Sequence, residues 1–281
     1  MGNKIAIVTG SSSGFGLLTS LELAKRGFQV MATMRNLEKK AELIERAELA
    51  AIADRIEIYE LDVTSEASIR RLRDCIEMKG RVDVLVNNAG YAGAGFVEDI
   101  PIDEYRQQFE TNVLGVIAVT QTVLPFMRKQ GNGKIITISS ISGTMGFPGL
   151  SPYVSSKFAI EGWSECLRLE LNPFGIDVAL IEPGSYKTNI WTNGKHITEK
   201  SLHKNSPYHE YLMKMENYLK SSESSYGNPI EIADKVAKLS TSKEMKLRNK
   251  IGRGVTLSIL LKSILPWRIW EKMILTRLDK Y

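Results

Sequence analysis

Lys4-Ile5-Ala6-Ile7-Val8-Thr9-Gly10-Ser11-Ser12-Ser13-Gly14-Phe15-Gly16 carries the reading on which the fold turns. After Lys4, the run Ile5–Thr9 is largely apolar and β-branched, without the polar alternation of a half-exposed strand, so Lys4–Thr9 is predicted to be a short strand buried on both faces. Three glycines follow within seven residues. Leu17–Arg26 then has helical spacing and stops at Gly27, a suitable C-cap. A strand, a glycine turn and a helix form a unit that lets backbone approach a phosphate closely. Glycine has no Cβ to hold the ligand away, and the helix start offers free N–H groups at the positive end of its dipole. A tight strand–helix turn without a ligand has the same composition, and the spacing is not that of the general G-x-G-x-x-G dinucleotide fingerprint.

Outward from this unit the pattern repeats. Strands are predicted at Phe28–Met34, Arg55–Leu61, Val82–Val86, Lys134–Ser139 and Ile176–Ile181. Between them lie helical stretches: Leu37–Ala53, a segment capped by Thr64 or Ser65 and running to about Lys79, a long region after Pro101 that is apolar over Thr111–Lys129, and Pro152–Leu171. Apolar strands alternating with helices predict an α/β, Rossmann-type doubly wound parallel sheet with helices on both faces. Such sheets bind ligands beyond the carboxyl ends of their strands. Gly10 to Gly16, Asp62, Asn87 to Gly90, Ser140 and Pro183-Gly184 all fall at predicted strand ends, so one shared crevice is expected.

The 281 residues suit a single domain. We read residues 1–250 as that domain, with a helical substrate lid at about 186–226, and residues 251–281 as a basic amphipathic helical extension. The two cysteines, Cys75 and Cys166, have no metal-ligand spacing and suit a reducing compartment. The apolar run near the N-terminus is short for a signal peptide or a span, so a cytoplasmic protein is expected. The net charge of +5 is uneven: from Lys243 onward ten Lys/Arg face three acids, a tail of +7, which leaves −2 for residues 1–242. The basic character therefore belongs to the tail and gives no reason to expect nucleic acid on the main body.

Two features carry chemistry. Tyr153 and Lys157 stand four residues apart, on one helix face, where an ammonium beside a phenol favours the phenolate. A free tyrosine titrates near 10, so bringing it to neutrality needs roughly 3–4 kcal/mol of differential stabilisation. The second feature is the end of the second strand, Ala32-Thr33-Met34-Arg35-Asn36, which lacks the acid that would bind ribose hydroxyls and repel a 2′-phosphate. Arg35 instead offers a guanidinium fork for that phosphate, which favours NADP(H) over NAD(H).

Taken together these residues resemble the short-chain dehydrogenase/reductase family. Thr9-Gly10-Ser11-Ser12-Ser13-Gly14-Phe15-Gly16 matches its nucleotide turn, Leu61-Asp62-Val63 its adenine contact, and Asn87-Asn88-Ala89-Gly90 its fourth-strand motif. Asn112, Ser140, Tyr153 and Lys157 match its catalytic tetrad, and Pro183-Gly184-Ser185-Tyr186-Lys187-Thr188 its P-G-x-x-x-T segment. Val30–Asn36, Tyr153–Gly162 and Pro173–Ile176 are most similar to the 17-beta-hydroxysteroid and retinol dehydrogenase branch, including bacterial members. The resemblance implies that Tyr153 is the general acid or base, tuned by Lys157, which also holds the nicotinamide ribose. It implies that Ser140 binds the substrate oxygen and that Asn112 positions a helix and a water. Asn88 and Gly90 would line the cofactor cleft, Thr188 would hold the nicotinamide carboxamide, and Asp62 the adenine. Read singly, Asp62 also suits a helix cap, Asn112 a core amide and Thr188 a loop hydroxyl.

Met145, Phe147 and Leu150, between Ser140 and Tyr153, are expected to border the substrate with Ser140 and Tyr153, and Gly93–Phe96 to form another wall. With Tyr208, Tyr211, Tyr218 and Tyr226 in the lid, they favour a lipophilic carbonyl or alcohol of steroid, retinoid or fatty aldehyde type. A 3-oxoacyl thioester reductase is the enzymatic alternative, and a non-catalytic NADP(H)-binding redox sensor the alternative of another class. No metal is expected, and a homodimer is the candidate assembly. Val255–Leu265 and Trp267–Leu278, split by Pro266, read as helices packed on the domain or a subunit in preference to a membrane surface.

Overall fold

The computed structural model describes residues 4–188 and 195–278. Seven parallel strands form the central sheet: β1 (Ile5–Val8), β2 (Gln29–Met34), β3 (Ile56–Glu60), β4 (Val84–Asn87), β6 (Gly133–Ile138), β7 (Ile176–Pro183) and β9 (Arg248–Ile251). Their order is β3-β2-β1-β4-β6-β7-β9. The chain runs outward from β1 to β3 and then restarts on the other side of β1 with β4. The direction of winding therefore reverses between β1 and β4, and there the connections leave a crevice.

Alternation within each strand divides the core between two faces. Ala6 and Val8 of β1, with Val84 and Val86 of β4, pack under α1 (Gly14–Lys25), α2 (Ala41–Leu49) and α9 (Ile230–Thr241). Ile5 and Ile7, with Leu85 and Ile135, pack under α3 (Glu66–Lys79), α5 (Gly115–Gln130) and α6 (Ser151–Leu171). Helix α4 (Ile102–Phe109) continues through a π-helical turn at Glu110–Leu114 into α5. The combined helix is long and apolar enough to cross a membrane. Its Val116, Val119, Val123 and Met127 are buried, so this apolarity serves the sheet.

Three features depart from the sequence expectations. The helix expected over Leu37–Ala53 begins as a 3-10 turn, Leu37–Lys40, in which the Asn36 side chain accepts from the Glu38 N–H. It ends at Leu49, with Ala51 at φ 52°. The seventh strand, Arg-Asn-Lys-Ile, has no apolar run to announce it. The lid, expected to be helical, includes β8 (Lys195–Ile197), which pairs in parallel with β5 (Ala92–Ala94). Helices α7 (Glu199–Leu202) and α8 (His209–Ser222) follow, while residues 189–194 of the expected lid lie outside the described residues. After β9 come α10 (Val255–Ile264) and α11 (Trp267–Leu278), broken at Pro266; residues 279–281 of the expected extension are also outside the description.

Candidate active site

A cleft of about 1220 Å³ opens over the carboxyl ends of the central strands. The glycine turn forms its floor. Gly10 has φ +70°, and a Cβ on it would lie 2.9 Å from the Ala89 Cα; a Cβ on Gly16 would lie 2.2 Å from the Gly10 carbonyl oxygen. Both positions exclude any larger residue. Asn88 holds the turn: its Nδ2 donates to the carbonyls of Thr9 at 2.9 Å and Gly10 at 3.1 Å. Its backbone N–H, with that of Ala89, donates to Thr9 Oγ1. Ser12, Ser13, Gly14 and Phe15 line the cleft where α1 starts, and the Ser13 side chain makes no cap bond. Gly16 supports the turn from behind and is not part of the lining.

At one end of the cleft stand Arg35, Asp62 and Val63. Burial pushes the Asp62 carboxyl up, but the Thr64 hydroxyl and N–H and the nearby Arg35 charge outweigh it and hold Asp62 below its ordinary value. Its Oδ1 accepts both Thr64 bonds, at 2.7 and 2.9 Å. Lys39 adds a second cation to this wall, and the neighbouring Glu42 pairs with Arg46 at 2.8 Å. Sequence reading passed over Lys39 because it sits in a charged stretch; the signal was its place one turn after Arg35.

At the other end, Ser140, Tyr153 and Lys157 face the same space. Ser140 follows β6 and accepts the Ser142 N–H on its Oγ at 3.1 Å. Tyr153 is 4% exposed and hydrogen-bonded to Ser140. Burial pushes its phenol up to about 12, and the Ser140 bond pulls the other way. This corrects the expectation of a phenol lowered by Lys157. The Lys157 Nζ donates to the Ile138 carbonyl at 2.7 Å and lies 5.6 Å from the centre of the Tyr153 ring. Burial also draws Lys157 itself down to about 8, with the Glu161 charge opposing. Tyr153 is therefore a phenol at neutral pH, the form that can give a proton to a carbonyl oxygen.

Asn112 occupies the π-helical turn, buried behind the cleft. Its Oδ1 accepts the Tyr91 N–H at 3.2 Å, and its Nδ2 donates to the Tyr91 carbonyl at 3.0 Å and to Ser156 Oγ at 3.3 Å. It thus ties the loop after β4 to α6 and does not line the cleft. Ala89, Gly90, Pro183, Gly184 and Thr188 do line it. Tyr91, Tyr186, Lys195 and His196 also line it and were not singled out from sequence.

Of the residues expected to meet substrate, Phe147 and Leu150 line a separate apolar cavity of about 140 Å³, closed by Leu212, Met215 and Leu219 of α8. Met145 is 1% exposed and lines neither space, because it is taken into the core beneath the loop. Lys195, paired with Glu216, borders both spaces. Phe96 stacks on Tyr208 with ring centres 4.6 Å apart, and Tyr211 lies 5.3 Å from it, so these aromatics fasten the start of α8 to the loop after β5. Among the described residues no group of acidic, histidine or cysteine side chains could hold a metal ion.

A family model described as short chain dehydrogenase matches residues 4–197. The chain is 51% identical over 279 residues to an uncharacterized oxidoreductase, YusZ, of Bacillus subtilis, covering 99% of each chain. It is 36% identical to a 3-ketodihydrosphingosine reductase of Bacteroides thetaiotaomicron, over 89% of this chain and 88% of that protein. Human retinol dehydrogenase 8 is 38% identical over 71% of this chain and 63% of its own length. Among solved structures, a short-chain dehydrogenase from Streptomyces avermitilis superposes with a TM-score of 0.81 at 32% identity, covering 100% of this chain and 97% of that one. An actinorhodin polyketide ketoreductase with NADPH gives 0.77 at 29% identity, over 90% and 97%.

Proposed function

The chain belongs to the short-chain dehydrogenase/reductase family and is an oxidoreductase, and from that premise we propose that it interconverts a lipophilic carbonyl compound and its alcohol with NADP(H). The observation that carries this reading is the convergence of Ser140, Tyr153 and Lys157 on the cleft whose floor is the glycine turn. The cleft suits a dinucleotide. Gly10 leaves backbone on the floor, with Gly16 allowing the turn to close behind it, and α1 begins beside it with the helix N-terminus that favours anionic groups. Bound there, a nicotinamide dinucleotide would supply or accept the hydride.

The remaining work falls to the chain. Tyr153 holds the proton on its phenol and delivers it to the carbonyl oxygen in reduction, or receives it in oxidation. Ser140 donates a hydrogen bond to the same oxygen as charge develops on it. Lys157 and Thr188 hold the nicotinamide half, Asp62 and Val63 the adenine, and Asn112 keeps α6 in register with the loop bearing Tyr91. Arg35 and Lys39 favour a 2′-phosphate, which supports NADP(H) over NAD(H). The apolar cavity behind Phe147 and Leu150 supports a substrate with a hydrocarbon body. The names of two relatives, a sphingoid-base ketone reductase and a retinol dehydrogenase, point to lipids as well.

The test is the rate of NADPH oxidation with retinal, steroid ketones, long-chain aldehydes, long-chain 3-keto bases and acetoacetyl thioesters, with NADH as control. Turnover of a lipophilic member with NADPH preferred is the expected result. Turnover confined to the short thioester would replace the substrate class, and a preference for NADH would remove the role given to Arg35.

A further inference from the structure

The last two helices carry their apolar residues on the outside. On α10, Leu257, Leu260 and Ile264 are 59%, 52% and 64% exposed. Their spacing of three and then four residues places them in one stripe turned to solvent. On α11, Trp267, Ile269 and Met273 are 59%, 49% and 45% exposed. The inward side is accounted for separately. Val255 and Trp270 are buried, and Ile274 helps to line the apolar cavity against α8. The helices are therefore fastened to the domain by one face while a second apolar face is bare, the reverse of an ordinary surface helix.

Charge accompanies this face. Between Val255 and Leu278 the sequence has four basic residues, Lys262, Arg268, Lys272 and Arg277, against one acid, Glu271, whereas residues 1–242 sum to −2. Arg268 and Lys272, both exposed, stand four residues apart on one side of α11. The Lys262 ammonium lies 4.5 Å from the centre of the exposed Trp267 ring, a cation and an amphipathic aromatic at one spot. A second copy is a poor occupant for such a surface. A two-fold contact would bring each basic tail against its equivalent, like charge to like.

We propose that α10 and α11 dock this protein on an anionic lipid surface, with Leu257, Leu260, Ile264 and Trp267 entering the acyl boundary and Arg268 and Lys272 meeting the headgroups. The docked helices lie over the apolar cavity, since Ile274 on the inner side of α11 is part of its wall. A substrate dissolved in the bilayer would then have a short path to the cleft, a consequence that rests on the proposed lipophilic substrate; the docking does not.

Sedimentation of the full chain with vesicles tests it, comparing phosphatidylcholine alone with phosphatidylcholine containing phosphatidylglycerol. Two double variants, Leu260→Glu with Ile264→Glu and Arg268→Glu with Lys272→Glu, change exposed positions only, and unchanged NADPH binding shows that they fold. Binding to the anionic vesicles, weakened by salt and by at least about tenfold in each variant, supports the proposal. Failure to bind them, or binding by either variant as tight as the parent's, overturns it. So does a dimer in solution that Leu260→Glu with Ile264→Glu converts to monomer, without any vesicle binding. None of these readouts uses turnover, so they stand whatever the substrate assay returns.

Discussion

At the residue scale the decisive quantities are charge and burial within a few ångströms. Arg35 stands exposed just past the end of β2, and Lys39, also exposed, lines the same cleft. Replacing Arg35 with Ser is expected to weaken NADPH binding by about 10- to 100-fold, the value of a charge-assisted phosphate contact, and to leave NADH binding unchanged. Fluorescence titration with both cofactors measures this. Lys157 is protonated below about pH 8 and neutral above it, because burial lowers it. A negatively charged cofactor should therefore bind more weakly as pH rises through about 8, and Lys157→Met should bind it weakly at every pH. The residue types and spacing of this site were legible in the sequence. What sequence could not give was which effect wins at Tyr153. Spacing shows a lysine near a phenol, whereas the depth of burial, which outweighs the Ser140 hydrogen bond, depends on everything packed around α6.

At the scale of elements, β9 shows why part of the fold is hidden from sequence. Arg248 points into a buried acidic pair: its Nε lies 2.9 Å from Glu161 and 3.7 Å from Glu182, and its Nη2 2.7 Å from Glu165. The strand is held by charge turned inward and by pairing with β7, and neither leaves an apolar pattern. Burial first, then the Glu161 charge, pushes Glu182 up to about 7 despite Arg248. The folded chain thus keeps a proton on Glu182 that the unfolded chain releases near pH 4.5, and folding loses stability as pH rises through that interval. Glu182→Gln carries no such penalty. By urea denaturation it should be more stable than the parent above pH 7 by about 1–3 kcal/mol, with the difference gone below about pH 4.5. The segment proposed as a lid is pinned in another way. Asp99 accepts from Ser201 at 3.0 Å and Ser206 at 2.9 Å, and lies 3.4 Å from Lys200. Asp99→Ala leaves three polar groups without that partner. It should raise the KM for the carbonyl substrate several-fold, by the loss of roughly 1–3 kcal/mol of lid anchoring, with NADPH affinity unchanged. The strand pairing of the lid escapes sequence for the opposite reason to β9: Ala92-Gly93-Ala94 is too short and too glycine-rich to signal a strand.

At the scale of the whole molecule, the parallel sheet gathers residues from stretches far apart in the chain over one crevice. Its existence follows from alternation of apolar strands and helices, which is a local property, and so does the expectation that the motif residues meet. Division of the substrate side into a cleft and a smaller apolar cavity is a tertiary result. It places Phe147 and Leu150 in one space and Ser140 and Tyr153 in another, and withdraws Met145 into the core. In the proposed reaction this crevice binds the dinucleotide with the glycine turn and transfers the proton with Tyr153, two tasks on different residues. The most direct measurement is therefore Tyr153→Phe, with NADPH affinity and the rate of carbonyl reduction determined on the same preparation. The account predicts NADPH affinity within about threefold of the parent, and a rate lower by about 10²–10⁴, the usual contribution of a positioned proton donor. Reduction within tenfold of the parent rate by a variant that binds NADPH normally would contradict it.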